Sequence, residues 1–563
     1  MSKKQLIECV PNFSEGRDLN IIKQITDEIE SVEGVKLLDV DPGKATNRTV
    51  VTFVGEPQPV IDAAYLAIKK ASEIIDMSKQ KGEHPRMGAT DVCPLIPIAN
   101  ISMDEVVKYA HKLAERAGKD LEIPFYMYEA AATKKERRNL ATVRAGEYEA
   151  LPEKLKQPKW KPDYGPAKFN AQAGATVIGA RDFLIAYNVN LNTTSVRRAN
   201  SVAFDIREKG RLKRAGNKIT GAILQDKKGE PLRTKGMCKS VKAIGWYIEE
   251  YGIAQISMNL TNINQTSLHE AFEACCKSAQ KRGLRVTGSE LVGLMPLKVM
   301  LDAGRYFLKK QKRSVGVSED EIIKIAIKSM GLDELTPFDS RKKIIEYQLE
   351  NLESAHLLNM NLREFANETA SESPAPGGGS ISAYVGSLGI SLAAMVANLS
   401  SHRRVWDDRW EEFSDWAERA QLQKDTLLKL VDEDTNSFNA IIEAIRLPKG
   451  TNSEKEIRSK AIEDATRYAI EVPFKVMEQS LASFEIIKKM AEIGNPNSVT
   501  DAGVGALCAR AAIHGAFLNV KINATGLKDK KYVSKVLKDG AKFLTKADKL
   551  EKDILKIVNN KIS

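Results

Sequence analysis

The feature that most constrains the fold is an order of β-rich runs and amphipathic helical stretches that occurs twice along the chain. The first copy reads LIECVPNF, a helix from about Leu19, VKLLDVD, RTVVTFVG, a helix from about Gln58, and VCPLIPIA. The second copy reads FLIAYNVNL, a helix through Ser195 to Glu208, VKAIGWYIEE, IAQISMNLT, a helix from about Ser267, and LRVTGSELVG. Both copies have the order βαββαβ, the split βαβ or ferredoxin-like motif. They predict two α+β subdomains in tandem, each with helices packed on a sheet.

Beyond about Met360 the pattern changes to helices with few strand signals, which predicts an all-α helical bundle. The helical periodicity covers about Gly378 to Ser401, Trp406 to Ile445, Glu454 to Ile493, Val499 to Ile522 and Lys531 to Val558. With 563 residues the chain also exceeds what one hydrophobic core usually organises. We therefore expect an N-terminal and a C-terminal α+β subdomain, a linker and a helical domain, at residues 1–181, 182–330, 331–360 and 361–563.

One helical segment is apolar enough to raise the question of a membrane span. From Ala375 to Ser401 there is no charged residue, and the length would suffice to cross a bilayer. The interior of this segment is rich in Gly, Ser, Ala and Asn, which favours a helix packed tightly inside a bundle. We expect no membrane partner.

The cysteines and the start of the chain favour the cytoplasm. The six cysteines have no CxxC spacing, which argues against a zinc cage and against a disulfide framework. No His, Cys or acidic cluster has the spacing of metal ligands, and we expect no metal. Glu8 and Pro11 interrupt the first apolar run, so a signal peptide is not expected.

The charge balance predicts an anionic partner. The chain has 85 Lys and Arg against 74 Asp and Glu, a net charge of +11. Basic clusters occur at Lys134 to Arg138, Arg207 to Arg214 and Lys309 to Arg313, but only Tyr306 and Phe307 lie close to one of them. Because aromatic stacking platforms and a recognisable binding module are both missing, we expect no nucleic acid.

One histidine stands in a setting typical of a catalytic group. His84 lies in KGEHPRMGATDVCPL, a Gly- and Pro-punctuated loop directly before a buried-looking strand. A structural contact within the turn is the alternative role. The other histidines lie in helical stretches or near their ends, where packed or solvated imidazoles are common: His111, His269, His356, His402 and His514.

Five strings in the first part of the chain carry a resemblance to a known family: CVPNFSEGRD, LLDVDPGKATNRTVVTFVG, DMSKQKGEHPRMGATDVCP, RAGEYEALPEKLKQ and GARDFLIAYNVNL. Together they closely resemble the formiminotransferase half of the formimidoyltransferase-cyclodeaminase family, from about Glu8 to Tyr347. The resemblance implies transfer of a formimino group from N-formimino-L-glutamate to N5 of tetrahydrofolate, a step of histidine degradation. It also implies that His84 is the acid/base catalyst. An imidazole suits this reaction, since the departing glutamate amine leaves readily only after it is protonated.

Two carboxylates and one loop are further candidates in this half. Asp39 and Asp41 alternate on the strand VKLLDVD, so they share one face. Either can orient His84 or bind the cationic amidine, and the alternative is a cap on the turn at Pro42 and Gly43. The folate-binding stretch of the family corresponds to GPAKFNAQAG: Gly165, Pro166, Ala167, Lys168, Phe169, Asn170, Ala171, Gln172, Ala173 and Gly174. Its glycines permit close backbone approach, and Phe169 can face a ring of the folate.

Two stretches depart from the family pattern. The folate-binding stretch reads AKFNAQ where the family pattern differs and contains a Trp. The polar, Gly-rich stretch from Lys213 to Lys235 is longer than expected, and its turn signals predict a protruding hairpin. The excess of Lys and Arg is suited to the glutamate tails of polyglutamylated tetrahydrofolate.

The second half contains SPAPGGGSISAYVGSLGISLAAMVANL followed by LVDEDTNSFNAIIEAIRLPKG. These strings resemble the cyclodeaminase half of the family and its relatives among methenyl-tetrahydrofolate cyclohydrolases, from about Phe365 to Asn523. The resemblance implies closure of 5-formimino-tetrahydrofolate to 5,10-methenyl-tetrahydrofolate with release of ammonia, and catalysis by Asp434. Asp432, Glu433 and Asp434 occupy successive helix positions, so the residues alone leave a solvated helix face open as the alternative.

Three alternatives remain open from the sequence. The helical domain can serve assembly only, or it can act as a methenyl-tetrahydrofolate cyclohydrolase. The third alternative is not an enzyme: a basic protein that binds folate or nucleic acid. The family commonly assembles, so the resemblance also implies a homo-oligomer, a dimer or higher.

Overall fold

The computed structural model describes residues 5–44, 46–82, 84–217, 220–349 and 357–563, which fall into two compact units. Unit 1 comprises residues 1–303 and 326–349, and unit 2 comprises residues 304–325 and 350–563. The α+β elements lie in unit 1 and the long helices in unit 2, as the sequence predicts. The expected domain boundaries stay predictions, because residues 350–356 of the expected linker lie outside the described residues.

Among the residues that the structure describes, the first part of unit 1 has seven strands and five α-helices. The strands are β1 (Leu6–Cys9), β2 (Asn12–Phe13), β3 (Val35–Gly43), β4 (Arg48–Gly55), β5 (Thr90–Ala99), β6 (Phe125–Glu129) and β7 (Thr176–Ala180). The helices are α1 (Leu19–Glu30), α2 (Pro57–Ile74), α3 (Met103–Asp120), α4 (Leu140–Val143) and α5 (Leu151–Lys154).

These seven strands form one mixed sheet. Strands β3, β4, β1 and β5 lie side by side and are antiparallel, which is the order of the split βαβ motif. Strand β2 continues β1 between the same two neighbours. Strands β7 and β6 extend the sheet beyond β5 in parallel, and this extension is additional to the predicted motif.

Alternation along the strands gives this sheet two different faces: a large apolar core on one, and charged residues together with smaller apolar clusters on the other. Ile7, Cys9, Val51 and Phe53 are fully buried in the core that α1, α2 and α3 cover. Residues at alternate positions point to the opposite face. That face carries charged side chains at Glu8, Arg48, Asp39 and Asp41, since Asp39 is paired with Thr52 and Asp41 with Val50.

The second part of unit 1 repeats the motif in a smaller sheet. Its strands are β8 (Ile185–Leu191), β9 (Arg211–Leu212), β10 (Arg233–Thr234), β11 (Val241–Ile248), β12 (Ile253–Leu260) and β13 (Val286–Val292). Its helices are α6 (Val196–Ile206) and α7 (Leu268–Gln280). Helices α8 (Leu297–Lys310) and α9 (Glu319–Met330) follow and cross the unit boundaries after residues 303 and 325, and α10 (Ser340–Lys343) and α11 (Ile345–Leu349) belong to unit 1. The sheet order is β11, β12, β8, β13, again that of the split βαβ motif. Strands β9 and β10 pair at the base of the stretch 213–235, and the bridges Arg214–Ile223 and Gln225–Pro231 continue the pairing into it. Residues 218 and 219 of this predicted hairpin lie outside the described part.

Unit 2 is a bundle of long helices. They are α12 (Leu362–Thr369), α13 (Gly378–Ser401), α14 (Trp410–Arg446), α15 (Asn452–Ile493), α16 (Val499–Ala524) and α17 (Lys530–Ile562). The core between α13 and α16 is built from small side chains that let the two backbones approach closely, among them Ala393, Ala397, Ala509 and Ala516. Helix α13 and the segment Pro496–Ala524 are each long and apolar enough to cross a membrane, yet half or more of their most apolar stretches is buried inside the protein.

The approach of α13 to α16 depends on two facing glycines. A Cβ on Gly389 would lie 2.9 Å from the carbonyl oxygen of Gly505 and 2.9 Å from the Cβ of Cys508. A Cβ on Gly503, in the same helix as Gly505, would meet only side-chain methyl groups, those of Val558 at 3.4 Å and one of Leu555 at 3.7 Å. Substitution by alanine favours the helix at both positions, but it disturbs a backbone contact only at Gly389. Comparison of the two substitutions therefore distinguishes the effect of close packing from that of helix propensity.

We predict that Gly389→Ala destabilises unit 2 by about 1–3 kcal/mol, because a backbone carbonyl cannot move aside as a side chain does. Gly503→Ala is the matched control and should be neutral or stabilising by up to about 1 kcal/mol, since alanine favours the helix. Thermal unfolding of the full chain followed by calorimetry measures both changes. Equal stability of the two variants would contradict the close approach.

Candidate active sites

The loop that carries His84 is fastened to its neighbours on both sides. Asn47 accepts a hydrogen bond from the Gly16 amide at 3.0 Å and donates one to the Lys81 carbonyl at 3.0 Å. Arg86 binds Glu149 at 2.8 Å and the side chain of Gln80 at 2.8 Å. The residue before the histidine, Glu83, lies outside the described part. These contacts hold the loop against the start of β4 and fix where the imidazole lies.

A buried carboxylate next to this loop binds two guanidinium groups. Asp91, the second residue of β5, is fully buried, and its Oδ2 accepts from Arg48 Nη1 at 2.5 Å and from Arg144 Nη2 at 2.6 Å. Its Oδ1 accepts from the Met87 amide at 2.9 Å. Burial acts to raise the pKa of Asp91, but the two guanidinium groups outweigh it and hold that pKa below its usual value.

Burial and this cluster together set the protonation state of His84. Burial first, and then the charges of Arg48 and Arg144, lower the pKa of His84 to about 3, while Asp91 acts in the opposite direction. His84 Nδ1 lies 2.8 Å from the carbonyl oxygen of Pro85, which can only accept, so Nδ1 carries the proton. At neutral pH the imidazole is therefore uncharged, and Nε2 has a lone pair available to accept a proton.

The folate-binding candidates run along the surface toward the His84 loop. Gly174 lies beside Gly88, and the amide of Ala89 donates to the Ala173 carbonyl at 2.9 Å. A Cβ on Gly174 would overlap the Met87 carbonyl, and its φ of +69° also favours glycine. Gly165, with a φ of +75°, lies against Gly118 at the end of α3. The stretch is thus fixed at both ends.

Within the stretch the side chains differ in exposure. Phe169 packs against the ring of Tyr148, with ring centroids 5.5 Å apart, and Tyr148 donates to the Ala171 carbonyl at 2.6 Å. Asn170 accepts from the amides of Gln172 and Ala173. Ala167, Lys168, Ala171 and Gln172 are exposed.

Asp39 and Asp41 have their contacts at the second part of unit 1 instead of at His84. Lys343 lies 3.4 Å from Asp39, and burial raises the pKa of Asp39 despite this lysine. The Gly293 amide donates to Asp41 at 3.1 Å. In the described structure the carboxylate that acts on His84 is that of Asp91.

The second candidate site lies in unit 2, at the N-terminus of α13. Asp434, in α14, accepts a hydrogen bond from the Ser380 hydroxyl at 3.0 Å and another from the Ser380 amide. A Cβ on Gly379 would overlap the carboxylate, so a residue without a side chain is needed there. Burial raises the pKa of Asp434, and the two hydrogen bonds from Ser380 only partly oppose this.

The neighbours of Asp434 in the acidic triplet point elsewhere, as successive helix positions require. Tyr468 donates to Glu433 at 2.8 Å, and Asp432 accepts from the Leu357 amide at 3.0 Å. Asn519, in α16, lies next to Gly378. Asp434 is therefore the member of the triplet that lies against the glycine-rich end of α13.

Three family profiles match the chain. They are "Formiminotransferase domain, N-terminal subdomain" at residues 6–181, "Formiminotransferase domain" at 186–350 and "Formiminotransferase-cyclodeaminase" at 361–542. The formimidoyltransferase-cyclodeaminase of Mus musculus is 43% identical over 526 residues, which is 93% of each chain. The chain belongs to the formimidoyltransferase-cyclodeaminase family.

Relatives that correspond to single halves also match. The glutamate formimidoyltransferase of Streptococcus pyogenes serotype M1 is 42% identical over 305 residues, 54% of this chain and 94% of its own. The methenyltetrahydrofolate cyclohydrolase of Methylorubrum extorquens is 32% identical over 205 residues, 36% of this chain and 99% of its own. Two single-function relatives thus correspond to the two halves of this formimidoyltransferase-cyclodeaminase family member.

Sequence reasoning singles out His84 and Asp434 but not the groups that surround His84. Arg48, Asp91 and Arg144 are far apart along the chain and follow no local spacing rule. A signal was present for Asp91, since it directly follows the histidine loop in GATDVCP. Within the described ranges of this family member, no three His, Cys, Asp or Glu side chains are grouped to hold a metal ion, and His356 lies outside those ranges.

We predict that Asp91→Asn destabilises unit 1 by about 3–5 kcal/mol, because it leaves two nearly buried guanidinium groups with no carboxylate. Asp62→Asn is the control: it removes a carboxylate from an exposed pair with Arg116, and it should cost less than about 1 kcal/mol. Urea unfolding of the full chain measures both. A small effect of Asp91→Asn would show that the cluster is hydrated.

Proposed function

We propose that this chain transfers the formimino group of N-formimino-L-glutamate to tetrahydrofolate and then closes the product to 5,10-methenyl-tetrahydrofolate with loss of ammonia. The observation that carries the proposal is the match to a formimidoyltransferase-cyclodeaminase over 93% of the chain. The two units also hold the two proton carriers that the reactions need, the neutral imidazole of His84 and the carboxyl of Asp434, whose pKa is raised. Tetrahydrofolate is the co-substrate of both steps.

In the first step His84 accepts and returns one proton. N5 of tetrahydrofolate attacks the amidine carbon, and the N5 proton passes to Nε2 of His84. The tetrahedral intermediate then collapses when the imidazolium gives this proton to the glutamate nitrogen, which leaves as an amine. The starting state of His84 is the uncharged one, which its surroundings favour. The products are 5-formimino-tetrahydrofolate and glutamate.

In the second step Asp434 has the corresponding role. N10 attacks the formimino carbon, and the N10 proton passes to the carboxylate of Asp434. The carboxyl then protonates the nitrogen that departs as ammonia, which leaves the methenyl cation. A raised pKa suits this relay, because a carboxyl that is too acidic returns its proton slowly.

Finer points of the proposal rest on separate observations. A reducing, cytoplasmic location is supported by six cysteines that are all free thiols. Assembly into a homo-oligomer is supported by apolar side chains exposed on α13 and α16: Leu388, Leu399, Leu518 and Ile522. Polyglutamylated folate is supported by the net charge of +11, and a place in histidine degradation by the chemistry of the formimino donor. The proposal includes no metal, no nucleic acid and no membrane.

A cyclohydrolase activity of the helical half is the second candidate, since a relative named for that activity matches this half. Purified protein supplied with tetrahydrofolate and N-formimino-glutamate should produce both methenyl-tetrahydrofolate absorbance and free ammonia. Protein supplied with methenyl-tetrahydrofolate alone should leave that absorbance unchanged. The cyclohydrolase would be favoured if the absorbance of added methenyl-tetrahydrofolate fell in the second assay and no ammonia appeared in the first.

We predict that His84→Ala lowers the rate of transfer about 10²- to 10⁴-fold, as expected when an acid/base group is removed. The same variant should still cyclise added 5-formimino-tetrahydrofolate at the normal rate, because Asp434 is intact. His111→Ala removes another imidazole of unit 1, one that binds the Tyr164 hydroxyl, and should keep transfer. A normal rate of formimino transfer in His84→Ala would show that His84 is not the acid/base catalyst.

Asp434→Asn should show the opposite pattern. Transfer continues and 5-formimino-tetrahydrofolate accumulates, while ammonia release falls about 10²- to 10⁴-fold, because an amide cannot relay the N10 proton. Asp425→Asn, a change of an exposed carboxylate in the same helix, is the control and should release ammonia normally. Ammonia release at the normal rate from Asp434→Asn would require another proton carrier.

A further inference from the structure

The cluster beside His84 has more positive than negative charge. Arg48 and Arg144 share a single carboxylate oxygen, that of Asp91, and the three side chains are 7%, 13% and 0% exposed. Among the described residues, two guanidinium groups against one carboxylate leave about one unit of positive charge in a poorly solvated place. Such an excess is costly unless an anion compensates for it.

Hydrogen-bond donors in this cluster are left over as well. Arg48 uses Nη1 for Asp91 and Nε for Asn12, at 3.1 Å. Arg144 uses Nη2 for Asp91, and its buried Nε has no acceptor among the described residues. Buried donors are almost always paired in proteins, so an unpaired one next to a catalytic candidate points to a ligand.

The substrate of the proposed transfer brings the matching anion. N-formimino-glutamate has two carboxylates, and its α-carboxylate is only three bonds from the amidine carbon that His84 must approach. The side-chain carboxylate is separated from that carbon by two more bonds. Guanidinium groups bind carboxylates through paired, charge-assisted hydrogen bonds.

We propose that Arg48 and Arg144 together bind the α-carboxylate of N-formimino-glutamate and thereby place the amidine carbon at His84. This inference rests on the proposed transfer activity and names the part of the site that selects the donor. Asp91 then holds the two guanidinium groups at the spacing that the carboxylate needs.

Binding of this carboxylate also assists the proton transfer. The charged groups that act on His84 are Arg48 on β4, Asp91 on β5 and Arg144 after α4, and Tyr128 on β6 lies near both guanidinium groups. An added anion offsets the two positive charges, so the imidazolium that forms during transfer costs less. The histidine therefore becomes a stronger base once the correct donor is bound.

The first test is the full-length Arg144→Gln variant assayed with each co-substrate in turn. The KM for N-formimino-glutamate should rise about 10- to 100-fold, and the KM for tetrahydrofolate should stay within about twofold. Arg144→Lys, which keeps the charge, should recover part of the loss. Arg116→Gln, which removes the same charge from an exposed pair with Asp62, should leave both KM values unchanged.

The pH profile tests whether the charge of Arg144 acts on His84. Transfer requires neutral His84, so kcat/KM falls as pH drops through the pKa of this histidine. Arg144→Gln removes a neighbouring positive charge and should move this acid limb to higher pH. An acid limb that stays in place would contradict the electrostatic contact between Arg144 and His84, and the substrate analogues test whether Arg144 also binds the donor.

Substrate analogues identify the carboxylate. N-formimino-4-aminobutyrate lacks the α-carboxylate, and N-formimino-2-aminobutyrate lacks the side-chain one. The natural enzyme should use the first analogue about 10- to 100-fold less well than N-formimino-glutamate, and Arg144→Gln should cause no further loss with it. With the second analogue, Arg144→Gln should cause its full loss.

Three outcomes overturn the inference. The natural enzyme could use N-formimino-4-aminobutyrate as well as N-formimino-glutamate, or Arg144→Gln could lower activity with N-formimino-4-aminobutyrate as much as with N-formimino-glutamate. In the third outcome Arg144→Gln raises only the KM for tetrahydrofolate, which would assign the arginines to the folate. Cyclisation of added 5-formimino-tetrahydrofolate checks that each variant is folded in unit 2, and circular dichroism checks unit 1. If Arg144→Gln does not fold, Arg144→Lys takes its place in the analogue comparison, and equal use of the two donors by the natural enzyme still overturns the inference. Absence of transfer in the natural enzyme would instead refute the proposed function.

Discussion

The carboxylate of Asp91 holds together the part of unit 1 on which the proposed transfer depends. It joins β4 through Arg48, the segment after α4 through Arg144 and the histidine loop through the Met87 amide. Because a buried charge without partners costs several kcal/mol, these three segments cannot move away from β5 separately. The position of His84 is therefore set by a buried ion cluster as much as by the sheet.

The two candidate sites reach a useful protonation state by different means. Around His84, burial and positive charge act in the same direction and keep the imidazole neutral. Around Asp434, burial raises the pKa while the Ser380 hydroxyl and amide lower it, so the opposing effects partly cancel. The former arrangement keeps the imidazole in its neutral, proton-accepting form but also makes it a weaker base until an anion offsets the positive charge. A carboxyl that must return its proton to a poor leaving group benefits from the latter.

The sequence predicts the long helices better than the sheets. Helix α13 is predicted at Gly378 to Ser401, where it occurs, and α15 begins two residues before its predicted start, because long periodic segments have an unambiguous period. Both βαββαβ orders are confirmed. The extension by β6 and β7 is not predicted, since FYMYE and TVIGA are short, buried runs that lack alternation, as parallel strands commonly do.

Prediction of the sites is limited by sequence distance. His84 is recognisable because its loop has local turn signals and a family motif. Arg48 and Arg144 are 43 and 53 positions from Asp91, and only the completed sheet brings them together. Asp39 and Asp41 share a face with Arg48 as alternation requires, but a shared face does not fix which neighbour a side chain meets, and theirs are Lys343 and the Gly293 amide.

The stretch Gly165 to Gly174, the folate-binding candidate, shows that sequence similarity and local structure can differ in what they preserve. Its middle departs from the family pattern, yet its two ends are fixed by backbone contacts at Gly165 and Gly174 that tolerate no side chain. The path of the chain is thus fixed at both ends, and between them Asn170 accepts from the amides of Gln172 and Ala173. Within it, Phe169 packs on the ring of Tyr148, which lies outside this stretch and in the string RAGEYEALPEKLKQ. The environment of Phe169 therefore depends on a residue about twenty positions earlier in the chain, which the stretch itself does not predict.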